Sequence, residues 1–85
     1  MEKFYTYILF SKTKNSYYIG STNNIERRLA EHNRGKSTYT KRGIPWTLVY
    51  KEEFETKALA YQREMKIKAW KSRKMIEELI LRQGV

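Results

Sequence analysis

Cysteine is absent from this 85-residue chain, and histidine occurs once, at His32. Disulfides are therefore excluded, and a structural zinc site, which draws on several Cys or His ligands, is not expected. Also missing is any apolar run approaching the roughly 20 residues that span a bilayer. The N-terminus lacks the apolar stretch and small-residue cleavage site of a signal peptide. No internal repeat, linker or low-complexity segment interrupts the chain. Acidic residues are scarce: 9 Asp and Glu face 18 Lys and Arg, for a net charge of +9. A surface this basic favours a polyanion, because each neutralised phosphate releases counterions. The expectation is a cytoplasmic protein that faces nucleic acid, not membrane, and forms a single domain over residues 1–85, the length leaving room for one thin core.

What is abundant is aromatic: seven Tyr, three Phe and two Trp. Residues 4–10 alternate with period two, Tyr5, Tyr7 and Leu9 on one face and Phe4, Ile8 and Phe10 on the other, which predicts a strand. A polar turn over residues 12–16 leads to a second short strand over 17–20, so the two form an antiparallel hairpin. Asn23 or Asn24 caps a helix that runs to about Asn33 or Arg34 and stops at Gly35. A basic loop over 34–43 ends at Pro45, and residues 46–54 alternate as a third strand. Thr56 caps a second helix, on which Ala58, Tyr61, Met65 and Ala69 share an apolar face. Ser72 interrupts and re-caps, and a last helix carries Ile76, Leu79 and Ile80, with Gly84 near its end. The order β-β-α-β-α-α predicts an α/β fold, a small sandwich with a central three-stranded antiparallel sheet flanked by helices.

Helix geometry separates the two arginines of the first helix. Ile25, Leu29 and His32 share a face, Arg28 lies about 60° from Ile25 at its edge, and Arg27 lies opposite, toward water. Arg28 and His32, four residues apart, converge on one point. A guanidinium there suits the extra negative charge of a phosphorane-like transition state; the plainer role is a solvated helix arginine. The tyrosines at 5, 7, 17 and 18 fit strand packing equally well. His32 is compatible with relaying a proton, orienting a tyrosine or filling space. Glu64, at the margin of the apolar stripe on the second helix, either holds one hard cation or pairs with Lys68. Two basic tracts offer contacts to a nucleic-acid backbone: Arg34, Lys36, Lys41 and Arg42 with Tyr39 available to stack, and Lys68 with Lys71.

Taken in order, these residues resemble the GIY-YIG nuclease superfamily, and in particular its small standalone bacterial members. Tyr5-Thr6-Tyr7-Ile8-Leu9 stands for the first motif, with Tyr7 in the place of its tyrosine, and Tyr18-Ile19-Gly20 matches the second, eleven residues on. Arg28 takes the place of the family's arginine, His32 that of a His or Tyr, and Glu64 that of the metal-binding glutamate. The resemblance implies one-metal hydrolysis of DNA of low sequence specificity, in repair or recombination. Glu64 would hold Mg²⁺ or Mn²⁺, Tyr7 with His32 would take a proton from the attacking water, Tyr18 would orient water or phosphate, and Arg28 would stabilise the pentacovalent state. Tyr5 and Thr6 replace the Gly and Ile of the first motif, Ser21 stands where repair members tend to carry Lys, and no asparagine follows Asn33. The alternative is a nucleic-acid-binding module that keeps the fold with little or no cleavage. Larger relatives attach a DNA-binding domain. Without one, the chain is expected to recognise DNA by shape, including branched structures, to bind weakly, to form a homodimer or to borrow a protein partner.

Overall fold

The computed structural model describes residues 2–83, so the expected helix end at Gly84 lies outside the described residues. Strand β1 (Phe4–Ser11) folds back on β2 (Ser16–Thr22); α1 (Ile25–Asn33) leads through a short 3-10 turn to β3 (Trp46–Phe54), followed by α2 (Lys57–Trp70) and α3 (Arg73–Gln83). The order β-β-α-β-α-α and the three-stranded antiparallel sheet are as expected. The sheet order is β2-β1-β3, with β1 in the centre and β2 and β3 at the edges. A central strand must bury both faces, and Thr6, Tyr7, Ile8 and Leu9 are all buried.

Alternation along β1 divides the core into two layers. Tyr7 and Leu9 pack with Trp46, Tyr18 and the α1 residues Ile25 and Leu29. Ile8 packs on the opposite face with Ile19, Tyr50, the α2 residue Ile67, and Ile76 and Leu79 of α3. Each fully buried aliphatic side chain contributes roughly 1.5–3 kcal/mol. Strict alternation along β3 does not hold. A bulge opposite Ile8 and Leu9 sets Val49 and Tyr50 against the same layer, since one extra residue on a strand reverses its facing.

The local signals set the helix ends. The Asn24 side chain accepts from the Arg27 amide at 3.0 Å and starts α1. Gly35, at φ 78°, takes the left-handed conformation just past its end. Thr56 Oγ1 accepts from the Leu59 amide at 3.1 Å, and Ser72 Oγ from the Met75 amide at 3.2 Å.

The face of α2 differs from expectation. Ala60, Glu64 and Ile67 are its buried residues, at i, i+4 and i+7. Ala58, Tyr61, Met65 and Ala69 are exposed. The helix buries a narrow stripe against β1 and β2, and that stripe contains a carboxylate, so apolar periodicity selects the wrong side.

Candidate active site

The site is assembled midway along the hairpin, where Tyr18 of edge strand β2 meets His32 of α1 and Ser21 meets Glu64 of α2. Register places Tyr7 opposite Gly20 and Leu9 opposite Tyr18, so both phenols lie on the α1 face of the sheet. Their ring centroids are 6.4 Å apart. Gly20 is needed for this. A Cβ at that position would stand 2.6 Å from the Tyr7 hydroxyl oxygen and 2.8 Å from Cζ. The glycine of Tyr18-Ile19-Gly20 thus leaves the space the Tyr7 phenol occupies.

Helix α1 brings in the cation and the imidazole. Arg28 donates from Nη1 to Glu31 Oε1 at 2.8 Å, and its Nη2 lies 3.4 Å from His32 Nε2. The same Nε2 lies 3.3 Å from the Tyr7 hydroxyl. His32 Nδ1 lies 2.8 Å from Thr40 Oγ1. The Tyr18 ring meets the His32 ring edge-on at 4.9 Å. Arg28 and His32 therefore converge, as their spacing predicts, with Tyr7 at the point of convergence. Arg27 is half exposed and lines a neighbouring cleft of about 270 Å³ with Lys57, Asn23 and Ser21.

Burial, with the Tyr18 charge adding to it, pushes the Tyr7 pKa up to about 12 against the opposing hydrogen bond from Arg28. Burial lowers the His32 pKa, and the Arg28 charge lowers it further. Burial alone would lower the Arg28 pKa, but hydrogen bonds to Glu31 and Tyr7 outweigh it and raise the value. The cluster near neutral pH is thus a neutral imidazole, a protonated phenol and a fixed cation.

Glu64 enters from α2. It is 9% exposed, well inside the helix's buried face and not at its margin. Its Oε1 accepts from Ser21 Oγ at 2.7 Å, and its Oε2 accepts from Lys68 Nζ at 2.7 Å. That second bond raises the Lys68 pKa. Of the two roles weighed for Glu64, the structure shows the pair with Lys68; the carboxylate also stands beside β2, near enough to Tyr7 for its charge to add to the rise in that phenol's pKa. No group of three or more His, Cys, Asp or Glu that could hold a metal occurs among the described residues. One carboxylate with hydroxyl neighbours suits a hard ion such as Mg²⁺, which keeps most of its waters and also takes substrate phosphate oxygens. A cation on Oε2 competes with Lys68 for the carboxylate.

The other tyrosines separate cleanly. Tyr17 donates to Glu77 Oε2 at 3.1 Å and lies under Arg73, a packing role. Tyr39 is 83% exposed and its ring lies 6.0 Å from that of Tyr18, at the mouth of the site. Arg34, Lys36, Lys41 and Arg42 are exposed on the same loop, and Lys71 is exposed at the end of α2. Ser21 and Thr40 carry no signal in the linear sequence that marks them for the site. A strand extended to Thr22 would have turned Ser21 toward α2, whereas nothing in the loop pattern singles out Thr40.

Comparison with known proteins gives the family of the chain. The family model described as GIY-YIG catalytic domain matches residues 3–77. A UPF0213 protein of Staphylococcus haemolyticus is 48% identical over 82 residues, 92% of this chain and 99% of the relative. A UPF0213 protein of Limosilactobacillus reuteri is 39% identical over 87 residues, 99% of this chain and 88% of the relative. The solution NMR structure of a UPF0213 protein from Bacillus halodurans superimposes with a TM-score of 0.62 at 35% identity, covering 96% of this chain and 86% of that one. The chain belongs to the GIY-YIG family, a nuclease family that acts on DNA and generally uses divalent metal ions. Among the described residues no helix is long and apolar enough to cross a membrane.

Proposed function

We propose that this chain is a metal-dependent DNA endonuclease of low sequence specificity, acting in the cytoplasm as a single domain in repair or recombination. The observation that carries the reading is the convergence of Arg28, Tyr7 and His32 within 3.3–3.4 Å, beside a strand whose Ser21 binds the Glu64 carboxylate. Glu64 would hold one Mg²⁺ or Mn²⁺, which supplies positive charge at the scissile phosphate.

The chain's own residues do the rest. Arg28, oriented by Glu31, presents its remaining donors to the phosphate oxygens and stabilises the charge that builds on them. Tyr7 takes a proton from the attacking water while the neutral His32 accepts the phenol's proton. Tyr18 orients the water or the phosphate. The water oxygen bonds to phosphorus, the ester P–O bond breaks, and the departing oxygen takes a proton from solvent. Arg34, Lys36, Lys41, Arg42, Lys68 and Lys71 neutralise flanking phosphates, and Tyr39 stacks on a base at the mouth of the site. Preference among DNA structures comes from shape, from a second copy or from a partner protein. A binding module without cleavage is the second reading; the Lys68 ammonium on Glu64 and the missing asparagine favour it.

Flapped, branched and plain duplex DNA, incubated with Mg²⁺ and with chelator, separates the two. The nuclease reading predicts Mg²⁺-dependent cuts that Glu64→Gln removes without loss of DNA binding. Binding with steep salt dependence and no cuts on any substrate would hand the case to the module.

A further inference from the structure

Arg28 carries only donors. Its Nη2 stands 3.4 Å from His32 Nε2, so that nitrogen must present a lone pair and not a proton. The Tyr7 hydroxyl is then left to donate its own proton to the same Nε2 at 3.3 Å. With Nε2 unprotonated, the proton of a neutral imidazole resides on Nδ1, and its acceptor at 2.8 Å is Thr40 Oγ1. The opposite tautomer would set an N–H against a guanidinium N–H and is electrostatically disfavoured.

Thr40 is well placed to impose this choice. It is 1% exposed, as is His32, so water does not substitute for its hydroxyl. Its position is set independently of the histidine: its carbonyl oxygen accepts from the Trp46 indole at 2.8 Å and from the Gly43 amide at 3.0 Å. The neighbouring Tyr39 turns outward while Thr40 turns in, so one loop both borders the mouth of the site and reaches its innermost group.

We propose that Thr40 is a positioning residue: by accepting the Nδ1 proton of His32 it fixes the tautomer whose Nε2 lone pair faces the Tyr7 phenol, ready to receive its proton. This rests on the nuclease reading for its catalytic consequence, but the tautomer is a property of the free protein. A fixed tautomer matters because the proton shuttles through Tyr7 only if the imidazole beyond it has a vacant nitrogen on that side.

The chain's single histidine makes the measurement direct. Long-range ¹H–¹⁵N spectra of the ¹⁵N-histidine-labelled protein, at mildly alkaline pH, read both ring nitrogens of one residue. Wild type is expected to show a protonated Nδ1 and an unprotonated Nε2. Thr40→Ser keeps the acceptor and keeps that pattern; Thr40→Val removes it and shifts population toward the Nε2-protonated form. In DNA cleavage, Thr40→Val is expected to lose roughly 10- to 100-fold in rate at unchanged DNA affinity, with Thr40→Ser restoring most of it. A protonated Nε2 in wild type overturns the assignment whether or not the chain cuts DNA. A folded valine variant with an unaltered tautomer does the same. If wild type cuts and the valine variant cuts equally fast, the positioning role is wrong while the nuclease reading stands. Should the valine variant not fold, the wild-type and serine spectra still decide the tautomer.

Discussion

Tyr7 is where sequence, packing and chemistry meet most tightly. Its ring lies over Gly20, its hydroxyl touches the Arg28–His32 pair, and its pKa is pushed up to about 12 by burial. The folded value exceeds the ordinary value of 10.0, so the unfolded chain loses this proton first as pH rises. Tyr7 thus contributes stability that is present below pH 10.0 and disappears as pH climbs through about 12, worth roughly 2–3 kcal/mol. Tyr7→Phe should remove the most alkaline step from an ultraviolet titration of the phenols and flatten the decline of Tm with pH in that window; an unchanged titration curve would contradict the burial account. Gly20→Ala drives a methyl into the phenol and should cost about 1–3 kcal/mol by denaturant unfolding, with a disproportionate loss of cleavage because Tyr7 itself must move. Stability and cleavage both close to wild type would show that the ring has room to yield.

At the scale of elements, α2 and α3 are held by different physics. Ile67 is fully buried between α2 and the sheet, and Ile67→Ala should destabilise by about 2–5 kcal/mol in urea unfolding. Helix α3 is tied to the hairpin turn by Arg73, which donates to the Asn15 carbonyl at 2.6 Å, to Asn15 Oδ1 at 2.8 Å and to Glu77 at 2.9 Å. These groups are half exposed. Arg73→Ala should therefore cost only about 1 kcal/mol, a few degrees in Tm, and the loss should shrink at high salt. A loss as large as that of Ile67→Ala would mean the staple carries more than exposed polar contacts can. The elements themselves were legible in the sequence wherever a local signal sufficed: period two in β1, Asn24 and Thr56 as caps, Gly35 and Ser72 as boundaries. The buried side of α2 was not, because Glu64 interrupts the stripe that packs while Tyr61 and Met65 decorate the side that does not. The bulge at Val49 was equally hidden, since register belongs to the pair of strands and not to either one. In the candidate site, Tyr7, Tyr18, Arg28, His32 and Glu64 are singled out by the resemblance of their motifs to the GIY-YIG family, whereas spacing alone left each of them a packing or surface role. Ser21 and Thr40 are hydroxyls whose partners lie 43 and 8 residues away, and only the folded chain brings those partners to them.

For the molecule as a whole, charge and cavity point the same way. Under the proposed function, a net charge of +9 on a domain with a radius of gyration of 12.4 Å predicts DNA binding that weakens steeply with salt. Replacing Lys41 and Arg42 by Gln should lower the slope of log K against log salt by roughly 1 for each phosphate no longer neutralised, uniformly across sequences; an unchanged slope would remove that loop from the DNA interface. In the proposed reaction one guanidinium, held by Glu31 beside Tyr7 and His32, stabilises a phosphodiester on its way to hydrolysis. Single-turnover cleavage of a labelled branched duplex by Arg28→Ala, alongside wild type and with folding checked by circular dichroism, tests it most directly. A folded Arg28→Ala variant should lose at least about 100-fold in the cleavage step. Cleavage by Arg28→Ala at the wild-type rate would contradict it.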